Sequence, residues 1–214
     1  MSTATASTKP NSLVPRNVII PVQGITWDMY EELRTDPGNN GLRMYYADGK
    51  LLLMTVGYTH ERIRALINLM LMEWLDAQDI PSINAGQWTM RQSSEQRGLE
   101  SDNCYYIRNL DLVEGKPNLD LAIDPPPDLA VEVDITTESE MKFAIYSALQ
   151  VPELWVWDGD SIQVYRLMGN EYVATDTSTE VLNFPLAVAN EMILEHHASN
   201  DLTIKRKFRN RMNA

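Results

Sequence analysis

The sequence predicts an α/β layer fold, and three observations carry that prediction. From Leu129 the apolar residues Leu129, Val131, Val133 and Ile135 alternate with Ala130, Glu132 and Asp134, the period of two that marks a strand. A helical stripe of Ile63, Leu66, Ile67, Met70 and Trp74 precedes this strand, and Thr137-Glu-Ser-Glu140 follows it with the spacing of a capping box. Asp48-Gly49 and Asp158-Gly159, each set between apolar runs, predict tight hairpins. Strands with helices before and after the acid-bearing strand make a layered α/β chain.

Composition bounds what such a chain can do. With 214 residues, 44% apolar and 22% charged, it is long enough for a sizeable core and has the make-up of a soluble domain. No run of about 18 apolar residues predicts a membrane span, and the first residues lack the basic-then-apolar pattern of a signal peptide. The single Cys104 excludes an internal disulfide and suits a reducing, cytoplasmic setting. A formal charge of −12 repels free polyanions, so contact with nucleic acid has to be local, metal-assisted or dependent on a partner.

Taken in order, residues 1–17 are small, polar and aperiodic and read as a flexible tail. Thr26 caps a first helix with Met29, Tyr30 and Leu33 on its apolar side, and Pro37-Gly38 breaks it. Met44 to Met54 reads as the first hairpin. Thr59 is the expected cap of the long helix from His60 to about Asp76, which places Glu61 in its first turn. Gln87 to Gln92 is a short strand, Ser93 to Gly98 a polar loop, and Glu100 to Ile107 an aromatic strand with Asp102 at its mouth. Beyond the central strand, Lys142 falls in the first turns of a helix that ends before Pro152. Leu154 to Leu167 forms the second hairpin, Gly169-Asn170 turns into one more strand, and Leu186 to His197 is helical. The domain is expected over 18–200, followed by a basic tail at 201–214 that carries Lys205, Arg206, Lys207, Arg209 and Arg211.

Two carboxylates on one face of an interior strand repel each other and lose hydration, and a hard divalent cation is the simplest compensation. Asp102, the strand pair Glu132 and Asp134, and Glu61 come from three separate elements and, with Lys142, compose an oxygen-only site suited to Mg²⁺ or Mn²⁺. Such a site hydrolyses phosphodiesters, with lysine orienting water or offsetting developing charge. Each residue also has a plainer reading. Glu61 complements a helix dipole, Asp102 is a turn residue, Lys142 is solvated, and the outer strand face is merely polar. Arg91 and Arg97 are candidates for phosphate contacts. His196 and His197 should point apart on their helix.

Glu100-Ser-Asp-Asn-Cys-Tyr-Tyr-Ile107, Asp124-Pro-Pro-Pro-Asp-Leu-Ala-Val-Glu-Val-Asp-Ile-Thr136 and Tyr146-Ser-Ala-Leu-Gln-Val-Pro-Glu-Leu-Trp155 resemble the Uma-two family over roughly residues 25–195. That family is assigned to the restriction-endonuclease-like PD-(D/E)XK superfamily. The resemblance implies a restriction-endonuclease-like core of mixed β-sheet flanked by helices. It also implies a Mg²⁺-dependent endonuclease acting on nucleic acid, DNA in first place, and a homodimer. Asp102 then matches the aspartate of the "PD" element and Glu132 the acid of "(D/E)XK". Ser101 stands in place of the proline, and Asp134 in place of the lysine. Lys142 is in position to supply that lysine from the following helix, and Glu61, with His60 beside it, matches the helical acid that completes a metal shell. Other readings stay open: a non-catalytic binding or assembly module that keeps the fold, or an enzyme for a smaller phosphate ester.

Overall fold

The computed structural model describes residues 18–133 and 139–212. Asp134 and the segment 135–138, in which the capping box expected at 137–140 begins, lie outside the described residues, as does the expected tail at 1–17. In chain order, β1 (Val18–Gln23) leads to α1 (Trp27–Thr35), then to β2 (Arg43–Ala47), β3 (Lys50–Thr55) and the long helix α2 (Tyr58–Ala77). Next come β4 (Ile83–Asn84), β5 (Thr89–Gln92), β6 (Arg97–Glu100), β7 (Asn103–Tyr106), the short α3 (Leu110–Val113) and β8 (Leu129–Val133). Helix α4 (Ser139–Ala148), β9 (Glu153–Trp157), β10 (Ile162–Met168), β11 (Glu171–Thr175), α5 (Leu186–Leu194) and α6 (Asp201–Arg211) complete it.

The strands form two sheets. A five-stranded sheet runs β1-β3-β2-β6-β5, all antiparallel, and a six-stranded sheet runs β11-β10-β9-β8-β7-β4. In the second sheet β8 and β9 are parallel. Parallel neighbours need a crossover, and α4 is that crossover. The alternation read from Leu129 explains why β8 is buried on both faces. Leu129, Val131 and Val133 pack with Ile63, Leu66, Ile67 and Met70 of α2, whereas Ala130 packs with Ile145, Tyr146 and Leu149 of α4 and with the five-stranded sheet. Helix α4 thus lies between the two sheets, and Glu132 points into that layer.

The hairpin turns follow their sequence signals. Asp48 and Gly49 take φ of 49° and 77°, the pair of left-handed conformations that a two-residue turn between β2 and β3 requires. Thr26 caps α1 by accepting a hydrogen bond from the Met29 N–H at 3.3 Å. Several local expectations shift. Gly57, not Thr59, precedes α2, and the Glu61 N–H donates to its carbonyl at 3.1 Å, so Thr59 lies inside the first turn. The loop expected at 93–98 is shorter, because Arg97–Glu100 is a strand paired on both sides. Met29 is exposed and only Tyr30 of its trio is fully buried. Helix α5 ends at Leu194, so His196 and His197 are released from helical geometry and their rings lie 3.6 Å apart.

Residues 201–211, expected as part of a basic tail, form α6. Asn200 caps this helix, and its spaced Ile204 and Phe208 are wholly buried against α2 and α5. Its basic residues neutralise the chain's own acids. Lys205 lies 2.7 Å from buried Glu73, Arg209 also pairs with Glu73, and Lys207 pairs with Glu195. Phe208→Ala is expected to cost about 3–5 kcal/mol, the range for truncating a buried aromatic, read as a loss of unfolding free energy in urea. A cost under about 1 kcal/mol would mean that α6 is not part of the core. Among the described residues no helix is long and apolar enough to cross a membrane.

Candidate active site

The site lies where β7 and β8 pair. Asn103 opposes Val131 at the end of the antiparallel ladder, and the same register carried one residue outward sets Asp102 opposite Glu132. Directly opposed side chains share a face and stand roughly 5 Å apart at Cβ. The Val133 N–H donates to Asp102 Oδ2 at 2.7 Å and fixes that carboxylate against the strand. Both acids are fully buried, at 0% and 1% exposure, so each charge needs partners within the protein.

Glu132 finds its partners on α4. Lys142 Nζ donates to Oε2 at 2.9 Å, and the Tyr146 hydroxyl donates to Oε1. Lys142 and Tyr146 are four residues apart, hence on one face of the helix, and both reach the same carboxylate. The Lys142 ammonium also sits 4.9 Å above the Tyr45 ring from β2. Asp102 is held by different elements. Arg43, at the start of β2, ion-pairs Oδ1, and His60 Nε2 from α2 lies 3.1 Å from Oδ2. Arg43 also donates to the Ser101 carbonyl at 3.3 Å and to Glu61 Oε1 at 3.1 Å. Glu61 is further held by Arg64 Nε at 2.9 Å, and Arg64 reaches Asn103 Oδ1 at 3.2 Å.

These contacts separate the acids electrostatically. Burial opposes the charge of Asp102, but the His60 and Arg43 cations outweigh it and hold its carboxyl below the usual range. Burial raises Glu132, Lys142 opposes the rise, and the charge of Asp102 adds to it. The pair therefore keeps one firmly ionised acid beside one that binds a proton more readily, as opposed carboxylates in an enclosed site must. The His60 contact and the nearby arginines, working against burial, hold Glu61 at about 2. For His60, burial disfavours charge, yet Asp102 and Glu61 win and raise its pKa to about 9.

The His60 shift fixes a pH dependence. Its folded value lies above the unfolded one, so the stabilisation is complete below about pH 6.5 and is lost as pH rises through about 9. A raised pKa of this size is worth about 3 kcal/mol. Unfolding free energy measured from about pH 6 to about pH 10 should fall by that much in the native chain and stay nearly flat in His60→Asn protein. Parallel curves for the two proteins would show that His60 is neutral in the folded state.

Glu61 approaches the pair through Arg43 and His60. Among the described residues no three His, Cys, Asp or Glu side chains converge closely enough to hold a metal ion. Asp102, Glu132 and Lys142 are brought together, and Asp134 lies outside the described residues. Arg91 and Arg97 pair instead with Glu31 and Asp48, both at 2.8 Å. Two participants escape sequence reasoning. Arg43 carries no motif, since nothing marks the first residue of a hairpin strand as an interior cation. Tyr146 carries a weak signal, its i,i+4 spacing from Lys142.

A mixed sheet with opposed carboxylates on neighbouring strands, a lysine delivered from the crossover helix and flanking helices defines a restriction-endonuclease-like α/β protein. Residues 27–195 match the model of the Uma2 family, described as "Putative restriction endonuclease", and the chain belongs to that family. A crystal structure of a "putative nuclease" from Anabaena variabilis shares the fold, with a TM-score of 0.50 and 16% identity over 71% of this chain and 84% of that one. No curated protein matches the sequence.

Proposed function

We propose that the protein is a metal-dependent endonuclease that hydrolyses phosphodiester bonds of nucleic acid, DNA in first place. The supporting observation is the opposition of Asp102 and Glu132 across β7 and β8, with Lys142 bonded to Glu132. Mg²⁺ is bound by one or two carboxylates together with water and substrate phosphate. The two acids supply the hard oxygen donors it prefers, and Asp102 Oδ1 already faces a cation, the Arg43 guanidinium. Asp102 and Glu132 would hold Mg²⁺ or Mn²⁺, with Glu61 behind them through Arg43 and His60, and Asp134 as a further ligand or an acid behind them. Bound there, the metal polarises the phosphate and lowers the pKa of its water.

The chain's own groups do the rest. Lys142 Nζ holds Glu132 Oε2 and places positive charge where the phosphate oxygens gain negative charge. Tyr146 donates to Oε1 and so holds the Glu132 carboxylate in one orientation for the metal it would bind. Arg43 and His60 keep Asp102 ionised and immobile.

One observation favours a second reading, a binding or assembly module without catalysis. Each acid of the pair already has cationic or hydroxyl partners inside the chain. Incubation with supercoiled, single-stranded and branched DNA and with RNA, in Mg²⁺, Mn²⁺ or EDTA, decides between the two. Cutting that requires the metal supports the nuclease. No cutting by folded protein selects the module. Calorimetry adds an independent readout: the metal should bind the native chain and bind Asp102→Asn protein at least about tenfold more weakly.

A further inference from the structure

A concave surface near the buried acids has a different chemistry. The edge strand β5, α1 and the loop at 118–122 enclose a groove of about 1170 Å³. Two half-buried tryptophans, Trp27 and Trp88, line it with Arg34 and Arg91. Amides and hydroxyls, among them Gln92 and Asn118, fill much of the remaining wall. The arginines balance the groove's acids, Glu31 and Asp120, so this lining carries no net charge on a chain that carries −12. A polyanion is repelled less here than the net charge of the chain implies, and Arg91, paired with Glu31 but half-exposed, offers it a contact.

The groove connects to the acids by a short path. The Ser101 N–H donates to the Trp88 carbonyl at 3.3 Å, the Ser101 carbonyl accepts from Arg43, and the next residue is Asp102. The wall that presents Trp88 is therefore bonded to the segment that presents the acid. Aromatic side chains paired with arginine in a polar groove are how proteins hold unpaired bases: each base stacks on a ring whatever its identity, while the backbone meets the cation. A duplex keeps its bases inside the helix and gains nothing from such rings. We infer that the groove of Trp27, Trp88 and Arg91 binds an unpaired nucleic-acid strand and feeds it to the Asp102–Glu132 pair. The feeding half of this inference rests on the nuclease reading above, and the binding half does not.

Fluorescence anisotropy with labelled twelve-residue oligonucleotides, in EDTA to prevent cutting, tests it on the full chain. A single-stranded oligonucleotide should bind more tightly than the duplex and than an abasic strand of equal length. Trp88→Ala should raise its Kd about tenfold, and Trp88→Phe should restore most of the affinity. Arg91→Ala should weaken binding at low salt and flatten its salt dependence. Trp27 packs closely on Tyr30 and Tyr46, at 5.3 and 5.7 Å between rings, whereas Trp88 lies 6.5 Å from the Tyr106 ring, so Trp88 is the site to change. Equal affinities for single strand, duplex and abasic strand, or Trp88→Ala protein that binds like the native chain, overturn the groove. If metal-dependent cutting occurs in that case, the nuclease stands and the groove falls. If the oligonucleotides bind as expected but nothing is cut, the groove stands and the nuclease falls.

Discussion

Glu132→Gln protein is expected to lose about three orders of magnitude in cleavage rate while remaining folded. A charge-stabilising group at a metal-assisted centre is worth several kcal/mol in the transition state, and about 1.36 kcal/mol is a factor of ten. The substitution keeps the shape of the side chain and an oxygen for the Tyr146 hydroxyl, but removes the charge. It also removes the carboxylate that opposes Asp102, a relief that offsets part of the lost pairing with Lys142. Initial rates on supercoiled DNA, with circular dichroism to confirm the fold, measure the effect. A rate within about fivefold of the native chain would place the chemistry elsewhere in the molecule.

Lys142→Met should act on stability as strongly as on cleavage. Lys142 is 4% exposed and bonded to an acid that is 1% exposed, so its removal leaves a buried carboxylate that keeps the Tyr146 hydroxyl but no cation bonded to it among the described residues. Breaking a buried ion pair from one side costs about 3–5 kcal/mol. The cost should depend on pH. Burial already pushes Glu132 up, and the loss of Lys142, which opposes that push, raises it further. A folded pKa above the unfolded one favours the protonated acid. The variant is therefore least impaired below the ordinary carboxyl range and loses stability as pH rises through the raised value. Urea unfolding at pH 5 and pH 8 should show the larger deficit at pH 8. The double variant Lys142→Met/Glu132→Gln should recover part of the loss, because neither position then carries a buried charge. Strictly additive losses, alike at both pH values, would show that the two side chains do not interact in solution.

Much of the fold is legible in the chain because it rests on local rules. The period of two at Leu129–Val133, the helical stripe at Ile63–Trp74 and the Asp48-Gly49 turn each follow from backbone geometry within a few residues. β1 and β6 were less legible. The first is an edge strand whose residues are mostly exposed, and the second is a short segment defined by its two neighbours rather than by its own pattern. The basic run at 205–211 looks like a solvated tail by composition. Only the burial of Ile204 and Phe208 and the pairing with Glu73 reveal it as a helix of the core.

The site divides in the same way. The sequence by itself determined that Glu132 lies on a strand, that Asp102 lies at the mouth of another, and that Lys142 and Tyr146 share a helix face. Each of these depends on spacing along the chain. Tertiary structure alone decided that Asp102 stands opposite Glu132, because that depends on the register of β7 with β8, strands separated by more than twenty residues. It alone placed Arg43 and His60 on Asp102 and set the two carboxylates apart in proton affinity. The physical reason is range. Backbone sterics and side-chain periodicity act between residues a few positions apart, whereas desolvation and ion pairing act between groups that are neighbours only after the layers have packed.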